Sequence, residues 1–162
     1  ITVAGDTSFY WSAHRDRPIS IGFEVPNAMP RGDDVESLCE EVRLRVNPNA
    51  PSRLSCKFVC PVMEGFCNPE SPFHGGKVYQ VEVTGKIFCT NLEMFTEVNA
   101  KLRWDNDKDN AASYAEAYWE GEDLGEIRRN PKEYPANMSE VLVDGTVTVI
   151  REVDPSEYDN VY

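Results

Sequence analysis

The sequence predicts an α+β domain, and two hydrophobic patterns carry that prediction. In residues 33–46 the apolar side chains recur every three or four positions, which is the spacing of one helix face. In residues 54–60 the pattern changes to alternation, which is typical of a strand with one buried face. Along the chain the order is strand, helix, strands, helices and strands. We therefore expect a single domain at residues 1–153 with a mostly antiparallel sheet and flanking helices, followed by an acidic tail at residues 154–162.

The first half of the chain contains the clearest helix. Aromatic residues 9–14 predict a strand, and residues 19–25 predict a second extended piece. Asp33 or Asp34 then caps the helix, with Glu36 three residues after Asp33 as in a capping box. The apolar stripe of this helix consists of Val35, Leu38, Cys39, Val42 and Val46. Asn47-Pro48 ends it.

The second half supplies most of the predicted sheet. Alternation predicts strands at residues 78–83 and 87–89, and helical spacing predicts helices at residues 92–104 and 111–120. A charged loop is expected from there to Ser139. Asp144-Gly145 suits a two-residue type I′ turn, so we expect residues 141–153 to form a hairpin around it.

The net charge of −12 is unevenly distributed. Residues 1–104 carry 13 acidic and 11 basic side chains, whereas residues 105–162 carry 15 acidic and 5 basic ones. An acidic chain does not release counterions from a phosphate backbone, so we expect no non-specific binding to duplex DNA. The acidic third is either a solvated face, the more common case, or a mimic of a nucleic-acid backbone that occupies a basic partner.

Five cysteines without a repeated spacing predict reduced thiols in a cytoplasmic protein rather than a disulfide framework. No apolar run approaches the length of a membrane span, so no membrane partner is expected. Cys56 and Cys60 share strand parity with Leu54 and Phe58, and we expect both to be buried and unpaired. This interpretation is favoured over a zinc site that combines them with Cys67 and His74.

One acidic segment has the carboxylate spacing of a calcium loop. Asp105, Asp107 and Asp109, with Glu116 eleven residues after the first, match the ligand positions of an EF-hand. Asn110 stands where the turn glycine belongs. We therefore expect a solvated loop that opens a helix, and no metal site.

Ser52-Arg53-Leu54-Ser55 stands at the mouth of a predicted strand and is the first candidate for chemistry. Its two hydroxyls can bind a ribose or phosphate, and Arg53 can hold a phosphate or carboxylate through two hydrogen bonds. Spacing alone favours a simpler interpretation, in which Ser52 caps a turn and Arg53 pairs with a helix glutamate.

Glu140, at the head of the last predicted strands, is the second candidate. A carboxylate at a strand end can orient a ribose hydroxyl or stabilise positive charge that develops on a sugar carbon. The alternative is an exposed glutamate at the edge of a sheet.

Several segments within residues 36–150 carry a family resemblance. They are Glu41-Val42-Arg43, residues 47–58 with Pro51-Ser52-Arg53-Leu54-Ser55, residues 78–83, residues 117–121, and Ser139-Glu140-Val141-Leu142-Val143. Together they resemble bacterial and phage domains of the ADP-ribosyltransferase-like superfamily, and the last segment is also similar to DNA-targeting ADP-ribosyltransferase toxins. The resemblance implies a split, mostly antiparallel fold that cleaves NAD at the nicotinamide–ribose bond and transfers ADP-ribose to a protein, nucleic-acid or nucleotide acceptor.

The resemblance also implies roles for individual residues. Glu140 maps to the catalytic glutamate, Ser52 or Ser55 to a serine near the nicotinamide ribose, and Arg53 to the same NAD site. On the first strand such enzymes hold NAD through an arginine or histidine, for which His14 and Arg15 are the candidates. If neither fills that role, the chain keeps the fold without the activity. The alternative hypothesis is a non-catalytic acidic protein, such as a phage inhibitor, that occupies a basic site on a partner.

Overall fold

The computed structural model describes residues 1–29, 32–63, 76–130 and 138–157. It confirms an α+β fold in which helices flank one antiparallel four-stranded sheet. The strands are β1 (Thr2–Ala13), β2 (Lys57–Val59), β3 (Lys77–Asn91) and β4 (Ser139–Glu152). The helices are α1 (Asp34–Val46), α2 (Leu92–Arg103), α3 (Lys108–Glu120) and α4 (Leu124–Arg129). None of the helices in these ranges is long and apolar enough to cross a membrane.

The sheet has the strand order β1-β3-β4-β2, and its central pair is long. β3 and β4 run antiparallel from the pair Tyr79–Glu152 to the pair Asn91–Ser139. The two outer strands also touch, because Tyr10 of β1 exchanges backbone hydrogen bonds of 2.9 and 2.7 Å with Cys60, just after β2. The sheet therefore curls until its edges meet.

The predicted hairpin at Asp144-Gly145 is wrong, because β4 continues through both residues. Gly145 instead lies opposite Gly85 of β3. A Cβ atom on Gly145 would lie 2.0 Å from the Thr84 carbonyl oxygen, and one on Gly85 would lie 2.3 Å from the Asp144 carbonyl oxygen. Gly145 thus allows two strands to approach closely. Glycine serves this purpose as well as turn formation, and the sequence alone does not distinguish the two.

The two faces of the sheet bury different cores. Inside the curl, alternate valines of β3 and β4 pack with Ile127 of α4. On the other face, Leu142 of β4 packs with the first three helices, including Val35, Val98 and Trp119. Burying each such side chain contributes roughly 1.5–3 kcal/mol. The helices are thereby attached to the sheet at the start of β4.

The predicted helices are confirmed, with shifts at their ends. Asp33 caps α1 by accepting from the Glu36 backbone N–H at 2.9 Å, and the predicted stripe is buried except for Val46. α3 begins at Lys108 rather than residue 111, because Asp107 caps it by accepting from the Asn110 N–H at 3.1 Å.

Three segments differ in detail from the expectations. The charged loop contains the short helix α4. Residues 19–25 contain a turn at residues 21–22, and the predicted extended piece is limited to residues 23–25. There Glu24 bridges Thr148 of β4, and the backbone N–H of Val25 donates to the Val147 carbonyl at 2.8 Å. At the expected tail, residues 155–157 form a 3-10 turn, and residues 158–162 lie outside the described part of the chain.

The calcium-like carboxylates have partners within the protein. Asp105 pairs with Lys101 at 3.2 Å, and Glu116 pairs with Arg45 at 2.7 Å. Asp107 acts as the helix cap already described.

The structure confirms that Cys56 and Cys60 are buried and free. Burial raises the pKa of the Cys56 thiol to about 12, so this thiol is unreactive at neutral pH. Cys67 and His74, the other two members of the possible zinc set, lie outside the described residues.

Candidate functional site: a buried arginine between two glutamates

The Ser-Arg-Leu-Ser segment folds as a 3-10 turn (Arg53–Ser55) between α1 and β2. β2 pairs with β4 in the register Lys57–Val143, which places the turn beside the first residues of β4. As a result Arg53 and Glu140, 87 residues apart in sequence, are in direct contact. The two segments that sequence analysis singled out therefore meet at one point of the sheet.

Three polar side chains surround the Arg53 guanidinium and form a hydrogen-bonded network with it. Its Nη1 donates to Glu140 Oε1 at 2.6 Å and to the Tyr118 hydroxyl at 2.6 Å. Its Nε donates to Glu36 Oε2 at 3.1 Å. The Tyr118 hydroxyl in turn donates to Glu140 Oε1 at 2.5 Å. We call Glu36, Arg53, Tyr118 and Glu140 the Arg53 network.

Aromatic rings enclose the guanidinium. Its carbon lies 3.8 Å from the centroid of the Phe95 ring and 4.8 Å from that of Phe58. The Arg53 and Glu140 side chains are only 10% and 5% exposed. Ion pairs this far from water are held by complete hydrogen bonding, and removing one partner leaves a buried charge.

The environment fixes the protonation of the network's two donors. Burial disfavours the charged form of Arg53, but the Tyr118, Glu140 and Glu36 contacts outweigh burial and raise its pKa above the ordinary value. Burial, and then the charge of Glu140, raise the pKa of Tyr118 well above its ordinary value. At neutral pH the network therefore contains a guanidinium and a protonated phenol, both able to donate.

The two serines of the segment have different environments. The Ser52 hydroxyl donates to Glu40 Oε2 at 2.6 Å and accepts from the Leu54 N–H at 3.2 Å. Ser52 thus caps the turn and Arg53 pairs with a helix glutamate, as the simpler interpretation expected, while Arg53 also contacts Glu140. Ser55 is exposed.

The position of Glu140 excludes the alternative of an exposed edge residue. Glu140 is 4% exposed and lies on β4, the neighbour of both β3 and β2. Its cross-strand partner on β3 is Thr90. Glu140 therefore points a fixed carboxylate into the space between the sheet and the helices.

The first-strand candidates lie elsewhere. His14 and Arg15 follow the end of β1 in an exposed turn. His14 Nδ1 lies 3.7 Å from Asp16 Oδ2, and both side chains are mainly exposed. Among the contacts found for His14 in the described residues, none reaches Arg53 or Glu140. The structure thus brings Arg53 and Glu140 together, but not His14 with either of them.

Two members of the network, Glu36 and Tyr118, were not predicted from the sequence. Glu36 was assigned to a capping box, yet its side chain pairs with Arg53. Its position three residues before Cys39 of the apolar stripe of α1 was the available signal, because a glutamate on a buried helix face needs a cationic partner. Tyr118 is 65 residues from Arg53, and its position next to Trp119 gave no sign of a polar role.

A family model described as a protein of unknown function (DUF2441) matches residues 34–155. The chain belongs to this DUF2441 family. The matched region begins with α1 and contains all four residues of the Arg53 network. No curated protein matches the chain.

Proposed function

We propose that this protein is an NAD-dependent ADP-ribosyltransferase-like enzyme that cleaves the nicotinamide–ribose bond and transfers ADP-ribose to an acceptor. The supporting observation is the 2.6 Å contact between Arg53, in the turn before β2, and Glu140, on the neighbouring strand β4. These residues belong to the two segments on which the resemblance to that superfamily chiefly depends.

Glu140 is the proposed catalytic residue. Tyr118 and Arg53 both donate to its Oε1 and so fix the carboxylate. A fixed anion in a site of low dielectric stabilises the positive charge that develops on the ribose as the nicotinamide bond breaks. Because the Glu140 side chain is only 5% exposed, its carboxylate has to exchange a protein donor for a ribose hydroxyl when NAD binds.

Arg53 and Ser55 are the proposed contacts to NAD near Glu140. Glu36 holds the Nε side of the guanidinium, so Arg53 stays anchored when its Nη1 group leaves Glu140. The exposed Ser55 is free of that network, and Ser52, already bonded to Glu40, is the weaker ribose ligand. His14 and Arg15 are proposed as contacts to the NAD phosphates from the end of β1. The free, buried thiols of the described chain support a cytoplasmic location for this activity.

Glu140→Gln tests the proposal because it keeps the side-chain shape and removes the charge. We expect nicotinamide release to fall about 100-fold or more, with NAD affinity nearly unchanged, since the lost interaction acts mainly in the transition state. Nicotinamide release and NAD affinity are measured on folded protein, with Glu82→Gln on the exposed side of β3 as the control. An unchanged release rate in Glu140→Gln would contradict the assignment.

The second candidate function is a non-catalytic acidic protein that occupies a basic site on a partner. One observation favours it: Arg53 and Ser52 are already bonded to carboxylates of the protein itself. In that case the Arg53 network only attaches α1 to the sheet. The net charge of −12 then favours a basic partner and disfavours duplex DNA. Salt-sensitive binding to a basic protein, without NAD binding or nicotinamide release, supports this candidate over the enzyme.

A further inference from the structure

A second region of the molecule has the features of a ligand site and is separate from the Arg53 network. It is a cleft of about 440 Å³ where the end of β3 meets the connection between α3 and α4. Its apolar lining comes from Ile1, Ile87, Phe88, Cys89 and Leu124, and its acidic lining from Glu120, Glu122 and Asp123. A cleft of this size accommodates a small organic molecule.

The backbone of the connection is held firmly against β3. Gly121 has φ = 78°, and a Cβ atom there would lie 2.8 Å from the Phe88 ring. Glycine is therefore required for the chain to pass so close to Phe88. The next residue, Glu122, donates its backbone N–H to the Cys89 carbonyl at 2.9 Å. Glu122 thus has a fixed position at the wall of the cleft.

The carboxylate of Glu122 lacks hydrogen-bond partners among the described residues. Both carboxylate oxygens are buried, and neither has a hydrogen-bond partner among the residues that the structure describes. Burial, and then the charge of Glu93, raise the pKa of this carboxyl above its ordinary value. A buried acceptor without a donor is destabilising, so such a group in a folded protein calls for an explanation.

We propose that the cleft binds an organic cation, an ammonium or amidinium group on an apolar body, which donates hydrogen bonds to the Glu122 carboxylate. Glu122 lines the cleft with both oxygens buried, so the proposed contact includes a rotation about its side-chain bonds that turns the carboxylate toward the ligand. The apolar wall takes the body of the ligand, and the Phe88 ring adds a cation–π contact. Glu120 and Asp123 add negative charge at the same cleft.

The lining favours an organic cation over a metal ion. Calcium and magnesium require several oxygen ligands at close range. Within the described ranges, no three acidic, histidine or cysteine side chains are grouped in a way that would hold a metal. The apolar residues that make up much of the cleft wall instead match an apolar ligand body.

Benzamidine is a suitable probe, because it joins an amidinium to an apolar ring. We expect saturable binding that shifts the NMR signals of the Gly121, Glu122 and Gly125 amides. Benzyl alcohol and benzoate, which have similar bodies but no positive charge, should bind at least about 10-fold more weakly, the equivalent of 1.4 kcal/mol. Equal binding of the three probes, no binding of benzamidine at millimolar concentration, or shifts confined to other amides would overturn the proposal.

Two further measurements connect binding to Glu122. Glu122→Gln should weaken benzamidine binding about 10-fold or more, whereas Glu82→Gln, which removes the same charge from an exposed position on β3, should change it less than about twofold. In the unmodified protein, the affinity should fall as the pH is lowered through the raised pKa of Glu122. Unchanged affinity in Glu122→Gln, or affinity independent of pH across that range, would refute the role of this carboxylate. None of these outcomes depends on NAD cleavage.

Discussion

Two glutamates with buried carboxylates, Glu140 and Glu122, have opposite surroundings. Glu140 accepts from Arg53 and Tyr118, whereas both oxygens of Glu122 are without a partner among the described residues. Their charges both raise the pKa of the Cys89 thiol, after the larger effect of burial, so both lie near the same end of β3. The difference teaches that burial alone does not decide whether the oxygens of a carboxylate are hydrogen-bonded; the donors supplied by neighbouring elements decide it.

The elements around each residue explain this difference. Glu140 lies on the sheet face covered by α1 and α3, and the turn after α1 supplies Arg53. Glu122 follows α3 on the side of the cleft, where Glu93 adds a like charge. Against the larger effect of burial, the positive charge of Arg128 lowers the pKa of the Cys89 thiol. The Arg128 guanidinium itself donates to the carbonyls of Ser8 and Pro61.

Removing the donor from Glu140 should have the largest effect on stability. Arg53→Ala leaves Glu36 and Glu140 buried without their shared cation, and we expect the free energy of unfolding to fall by about 3–5 kcal/mol. Chemical denaturation measures this loss. The matched control is Arg45→Ala, because Arg45 also pairs with a glutamate, Glu116, but is 56% exposed.

Arg45→Ala should cost about 1 kcal/mol or less, since water and salt screen an exposed pair. Equal losses in the two variants would mean that the Arg53 network contributes no more than a surface ion pair. A loss of nicotinamide release in folded Arg53→Ala would be compatible with either result. The unfolding free energies therefore decide whether the Arg53 network stabilises the protein more than a surface ion pair does.

The contacts of this site that could be predicted are those between residues close together in the sequence. The capped helix α1 was predictable because Asp33 and the apolar stripe act within a few residues of each other. That Arg53 and Glu140 lie near each other was expected only from the family resemblance, since 87 residues separate the pair; their direct contact was not predicted. Tyr118 was not predicted, because nothing local distinguishes a buried tyrosine that donates to a carboxylate from one that only packs.

The hairpin error has a similar origin. Asp144-Gly145 has the composition of a tight turn, and only the pairing of Gly145 with Gly85 reveals its actual use. That pairing is set by the register of two strands about 60 residues apart in sequence, which local pattern does not contain.

Removing the second donor to Glu140 should have an intermediate effect. Tyr118→Phe keeps the ring but deletes the hydroxyl that donates to Glu140 and accepts from Arg53. Hydrogen bonds to charged groups contribute roughly 1.5–3 kcal/mol, and we expect a loss of that size in the free energy of unfolding. Tyr114→Phe on the same helix is the control and should change stability by less than about 0.5 kcal/mol. If both variants unfold alike, Tyr118 serves as a packing residue only.

Removing the charge of Glu122 should have the smallest effect on stability, and its sign should be opposite. Glu122→Gln removes a charge that is poorly solvated in the folded protein, so at pH 7 the variant should be more stable by on the order of 1 kcal/mol. The raised pKa means that the folded state of the parent binds more protons than the unfolded state between the ordinary glutamate pKa, about 4.3, and the raised value. The stability of the parent should therefore be highest, relative to the variant, below the ordinary pKa, and should fall as the pH rises through the window to the raised value.

Denaturation of the parent and of Glu122→Gln from pH 4 to pH 8 measures this difference directly. Glu82→Gln provides the reference, because it removes the same charge from an exposed position on β3. The proposed contrast is that the Glu122 carboxylate is unpaired whereas that of Glu140 is paired. It holds only if the difference in unfolding free energy between Glu122→Gln and the parent grows with pH. A constant difference across the range would mean that Glu122 is as well solvated or as well paired as an ordinary surface glutamate, and the contrast between the two buried carboxylates would disappear.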